Sequence, residues 1–164
     1  ADQLAIPPYN RVVTCDASFD LDAFISELPS EIKATPADQS APTEPATFNM
    51  YANGAWWTLR YTGDLTRFPV VDRLDVSLLQ NLILAPMRGI EDPRTDPRIA
   101  FVGGIRGTKE LERRVDSGEG TVAFAMFPAT VEQLMTISDA GGIMPPKSTW
   151  FEPKLRDGLL VHEL

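Results

Sequence analysis

The chain reads as an α/β domain with α+β character in its first half. The expected architecture is a mixed β-sheet that joins an antiparallel hairpin to a βαβαβ second half, with helices packed on the sheet. Three observations predict it. Residues 47–61, TFNMYA-NG-AWWTLRY, are two alternating runs joined by Asn53-Gly54, the pair that suits both positive-φ positions of a tight hairpin turn. Residues 99–127, IAFVGGIRGTKELERRVDSGEGTVAFAMF, run strand, glycine loop, helix and strand within 29 residues. Thr130 with Gln133 in capping-box spacing then opens another helix, ahead of a last strand near Gly158–His162. Strands alternating with helices favour parallel strands linked by helical crossovers.

Residues 4–13, LAIPPYNRVV, predict a strand interrupted by Pro7 and Pro8, hence an edge strand or a lead-in to one. Asp20 has the chemistry of an N-cap, and Leu21, Phe24, Ile25 and Leu28 follow as one apolar stripe closed by Pro29. A short strand is expected around Glu31–Thr35, then a proline-rich surface loop over residues 36–46.

A two-residue hairpin loop pairs Ala52 with Ala55, Met50 with Trp57 and Phe48 with Leu59 on one face. The other face receives Tyr51 with Trp56, Asn49 with Thr58 and Thr47 with Arg60. That register makes the second face polar and wet, with Tyr51 and Trp56 as an exposed aromatic pair. Such a pair reads as sheet stabilisation or as an interface.

Further along, Asp75 is expected to cap a helix carrying Val76, Leu79, Leu82 and Ile83 that ends before Pro86. The proline-punctuated loop EDPRTDPR occupies residues 91–98. The helix over 108–116 presents Leu111 and Val115 and stops at Gly118, and the next one buries Val131, Leu134 and Ile137 and stops at Gly141.

Composition sets limits. At 164 residues the chain fits one domain, 1–164, and it opens Ala1-Asp2-Gln3, as expected of a piece of a longer protein. Fifteen cations against 23 carboxylates leave a net charge of −8, which repels nucleic-acid phosphates at long range. Residues 86–164 hold ten of the cations, seven of them between Arg88 and Arg114, so a local cationic pocket fits only the second half. No apolar run reaches the ~20 residues of a membrane span. The lone Cys15 and lone His162 exclude a Cys/His zinc site, and the single thiol suits a cytoplasmic protein. Asp16 beside Cys15 raises rather than lowers a thiol pKa, which argues against a nucleophile.

Several blocks together resemble one family: PYNRVV, LDVSLLQNLIL, DPRTDPRIAFVGG, RVDSGEGTVAFAMFP and MPPKSTWFEPKL. They are similar to the C-terminal half of domain-of-unknown-function family 1015, from about Ile6 to Leu164, with residues 30–47 and 62–70 as the variable parts. The resemblance implies an upstream domain carrying an Asp-Gly-His-His-Arg element similar to ParB-like proteins and free-serine kinases. Phosphoryl or nucleotide chemistry would then belong to that upstream part, and this chain would pack on it and complete its site.

Two loops are candidate ligand sites. Gly103-Gly104-Ile105-Arg106-Gly107-Thr108 leads from a strand into a helix N-terminus, which can hold a phosphate or carboxylate, with Arg94, Arg98 and Arg106 adding charge. Its plainer reading is a tight βα turn whose arginines pair with Asp92, Asp96 and Glu110. The second loop, Met144 to Lys154, is stiffened by three prolines. It offers Lys147 and Lys154 as charges, Ser148 and Thr149 as hydroxyl donors, and Trp150 and Phe151 as flat apolar surfaces. Those residues suit docking on the upstream domain, anchoring of the last strand, or a small anionic ligand. No motif specifies a cofactor or a metal. The sequence-level alternative to a site-completing domain is a self-contained nucleotide- or phosphate-binding enzyme domain. Both require the two loops to gather on the same side of the sheet.

Overall fold

Asn53 and Gly54 reverse the chain at φ values of 51° and 77°, and the hairpin they close has the register expected rung for rung, from Ala52↔Ala55 to Thr47↔Arg60. A computed structural model describes residues 6–149 of the chain. Its strands are β1 (Tyr9–Val13), β2 (Ile32–Pro36), β3 (Thr47–Ala52), β4 (Ala55–Tyr61), β5 (Ile99–Gly103) and β6 (Val122–Met126). They form one sheet in the order β2-β4-β3-β6-β1-β5.

All five strand pairings among the described residues are antiparallel, which corrects the expected parallel pairing in the second half. The crossover itself is present. β5 and β6 run in the same direction, joined by helix α4 (Gly107–Asp116), but β1 lies between them and pairs with both. β1 is therefore an interior strand and not an edge. Its prolines precede the ladder, so they remove no ladder donor. The expected last strand lies outside the described residues.

Helices cover both faces. On one face, α1 (Leu21–Ser26), the helical run 75–88 and α5 (Val131–Asp139) bury Phe24, Leu79, Ile83 and Ile137 against Phe48, Met50, Leu59 and Phe124. Each such side chain is worth roughly 1.5–3 kcal/mol of burial. On the other face, Leu111 and Val115 of α4 pack on Val12, Tyr51, Val102 and Ala123. β3 is buried along its whole length, so its polar face is not wet, while on β4 Trp56 and Thr58 are half-buried and Arg60 is exposed.

The capping predictions hold where the side chain is local. Asp20 accepts from the Ala23 N–H at 2.7 Å, Thr130 and Gln133 form a reciprocal capping box, and Gly118 follows α4 at φ 82°. α5 differs in its face: Ile137 is buried, but Val131 is exposed. The helix at Asp75 also differs. Its first segment is α2 (Asp75–Leu79), preceded by Leu74 at the cap position, and the Asp75 side chain accepts instead from the Ala46 N–H at 3.0 Å. A π-helical turn (Gln80–Leu84) follows, then α3 (Ala85–Arg88), which contains Pro86. The Ala85 N–H reaches back five residues to the Gln80 carbonyl. That wider turn relieves the clash a proline ring makes in a regular helix, so the helix runs through Pro86 and ends at Gly89 with φ 66°.

Candidate functional site

Alternation along β1 puts Arg11 on the same face as Val13, between Phe101 of β5 and Phe124 of β6. A charge in that row is surrounded by core, and Arg11 is only 5% exposed. One guanidinium nitrogen donates to the Tyr9 carbonyl and the other to the Lys147 carbonyl at 3.0 Å, while the group lies 5.2 Å from the centre of the Phe101 ring. No carboxylate among the described residues pairs with it. Burial accordingly pulls the guanidinium down to about 9, far below its ordinary value. A guanidinium has five N–H donors, and the two hydrogen bonds it makes among the described residues engage two of them.

Arg11 forms the floor of a cleft of about 530 Å³, within the range of small-molecule sites. One wall is the helical run, through Val76, Ser77, Gln80 and Asn81; another is the 91–94 loop; Pro145 and Pro146 close a third side. The π turn starts at Gln80, so the irregular turn shapes this wall. Ser77 Oγ donates to the Val71 carbonyl and Gln80 Nε2 to the Ile90 carbonyl, which holds both side chains in place.

Each of the two loops singled out in the sequence touches the start of β1. The Gly104 N–H donates to the Pro8 carbonyl at 2.8 Å, and a Cβ at Gly104 would come within 2.6 Å of Pro8 Cδ. Lys147 Nζ lies 3.5 Å from the Tyr9 hydroxyl and 5.3 Å from the centre of its ring. Lys147 itself has φ 57°, an uncommon left-handed conformation for a non-glycine residue. Ser148 is buried and Thr149 partly so. Trp150, Phe151 and Lys154 lie outside the described residues.

Other candidates are engaged locally. Arg94 makes a two-pronged pair with Asp92 at the rim of the cleft. Arg98 pairs with Asp96 and also donates to the Arg88 and Gly89 carbonyls at the end of α3. Arg106 stands 3.9 Å from Glu110, and Thr108 shares a 2.7 Å hydroxyl hydrogen bond with Ser40. Gly103 ends β5, and Gly107 opens α4 at φ 69°.

Tyr51 and Trp56 stack 5.1 Å apart, but under α4. The Tyr51 hydroxyl donates to Asp116 at 3.0 Å and Trp56 Nε1 to Glu112 at 2.8 Å. They are a clamp between sheet and helix and not an exposed pair. Burial, Arg88 and Asp16 all act on the Cys15 thiol, and burial dominates and pushes it up.

Arg11, Ser77, Gln80 and Asn81 were not anticipated. The one available signal was parity. In Tyr9-Asn10-Arg11-Val12-Val13, Arg11 falls two residues from Val13 on the inward side of the strand.

Two solved structures of mutants of a free serine kinase, each in complex with AMP, match with TM-scores of 0.52 and 0.53 at 15% identity. Each alignment covers 92% of this chain and 55% of that one. A conserved hypothetical protein from Pyrococcus furiosus matches with a TM-score of 0.50 at 16% identity, over 92% of this chain and 57% of that one. The chain thus spans just over half the length of these structures, and at such identity the likeness is one of fold. No curated protein matches. The family described as "Protein of unknown function (DUF1015)" matches residues 1–77, which bears out the family resemblance read from the sequence.

Proposed function

We propose that this chain is the site-completing C-terminal part of a small-molecule-kinase-like cytoplasmic protein, and that the cleft over Arg11 takes the anionic group of a small ligand. The single observation that carries this reading is a guanidinium 5% exposed, with no carboxylate partner among the described residues, forming the floor of a 530 Å³ cleft. An unpaired buried charge costs several kcal/mol, and a bound anion offsets that cost. The fold shared with a free serine kinase supports the class, and the AMP in those structures supports an anionic ligand. The exposed apolar residues Val131, Met135 and Ile143 support packing against an upstream domain. The glycine loop is the weaker candidate, because Pro8 and Ser40 already occupy the Gly104 N–H and the Thr108 hydroxyl.

Thermal unfolding of the purified chain with phosphate, acetate and AMP tests the reading. A ligand at about 100 times its Kd stabilises by about 2.7 kcal/mol, or roughly 5–10 °C for this size. The shift is expected in the parent chain and absent in Arg11→Met. Equal shifts in both, or none in either, would overturn the proposal.

A further inference from the structure

The walls of the Arg11 cleft carry charge of the opposite sign to its floor. Asp72, Glu91 and Asp92 all line it. Asp92 is neutralised by Arg94, whose Nε and one terminal nitrogen both reach it at 2.9 Å. Asp72 and Glu91 have no ion-pair partner among the described residues, and neither lies within ion-pair distance of Arg11. Gln80 spends its amide N–H on the Ile90 carbonyl, so its oxygen remains an acceptor on the same wall. Among the described residues the cleft therefore holds one cation and several acceptors without an ion-pair partner, and the two signs do not pair with each other.

We propose that the ligand is a small zwitterion, with an anionic group on Arg11 and an ammonium group held by Asp72, Glu91 and the Gln80 side-chain oxygen. This rests on the reading that Arg11 takes an anion, and it adds what the rest of the ligand must be. A purely anionic ligand would leave two carboxylates facing its tail. A zwitterion meets both signs and replaces the water lost from each charged group. Because Arg11 pairs with neither carboxylate, the ligand must bridge a gap wider than one ion-pair contact.

The test is a calorimetric titration of the full chain with a ladder of zwitterions, namely glycine, 3-aminopropionate and 4-aminobutyrate. Each is compared with its deaminated counterpart: acetate, propionate and butyrate. At least one zwitterion is expected to bind about three- to tenfold more tightly than its counterpart, the scale of a few partly exposed ion pairs. The double variant Asp72→Asn/Glu91→Gln should remove that preference by weakening zwitterion binding, while the plain acid, relieved of two like charges, binds at least as tightly as before. Arg11→Met should abolish binding of both. If the plain acids bind as tightly as the zwitterions, or the double variant keeps the preference, the zwitterion assignment is wrong and the anion site stands. If no member of either series binds, both readings fall.

Discussion

Arg11 donates to the main-chain carbonyl of Lys147 at 3.0 Å, so the strand that enters the sheet first is tied to the loop that follows the last described helix. Lys147 returns the contact by setting its ammonium over the Tyr9 ring. The link holds Lys147 at φ 57°, and it places the Pro145-Pro146 wall beside the Arg11 floor. One consequence is that the cleft depends on both ends of the described chain.

Lys147→Gly removes the backbone strain of a left-handed residue while keeping the carbonyl that Arg11 uses. It should leave stability unchanged or raise it by up to about 1 kcal/mol. Anion binding, read by thermal shift, should persist, because the ammonium lies over Tyr9 and outside the cleft lining.

Asp75 gives a prediction in pH. It is 7% exposed, its Oδ2 has no hydrogen-bond partner among the described residues, and burial pushes its carboxyl up to about 6. The unfolded value is about 3.9. A carboxyl that is harder to ionise in the folded state favours folding when protonated, so its contribution is most favourable below about pH 4. That contribution is lost as pH rises through 6, by about 2–3 kcal/mol. Asp75→Asn should therefore raise chemical-denaturation stability at pH 8 by about 1–2 kcal/mol. The gap over the parent chain should shrink on acidification to pH 4. A variant less stable than the parent at pH 8 would contradict this.

The clamp under α4 is testable by deleting one oxygen. Tyr51→Phe removes a buried hydroxyl that donates to the Asp116 carboxylate, and it should cost about 1–2 kcal/mol in urea unfolding. An exposed aromatic pair would show almost no change.

Gly104→Ala probes the crossing of the glycine loop by the start of β1. The added methyl would meet Pro8 Cδ and the Pro8 carbonyl oxygen at 2.6 Å, against backbone that cannot yield cheaply. A loss of about 1–3 kcal/mol is expected. A neutral result would mean that the loop is free enough to serve ligands, contrary to its packing here.

How much of this was legible beforehand depended on range. The hairpin register followed from alternation and Asn53-Gly54 because both act across a few residues. The Thr130/Gln133 box and the Gly118 stop were legible for the same reason. Strand order was not, because nothing local to Tyr9–Val13 states that it inserts between β5 and β6. The burial of Tyr51 was missed for a related cause: a polar face stays polar in sequence whether water or α4 covers it. The glycine loop and Lys147 were expected on one side of the sheet; both touch the start of β1, at Pro8 and Tyr9, but the glycine loop leads into α4 on one face while Lys147 lies with Tyr9 and Arg11 on the other. The residue at the floor of the cleft, Arg11, carried only a parity signal.

The measurement that bears most directly on the central claim is the NMR signal of the Arg11 Nε–H, followed while inorganic phosphate is titrated into the chain. Binding in the cleft predicts a saturable shift of this resonance, larger than that of Arg94 or Arg106. A resonance that stays still while the exposed arginines move would contradict the account.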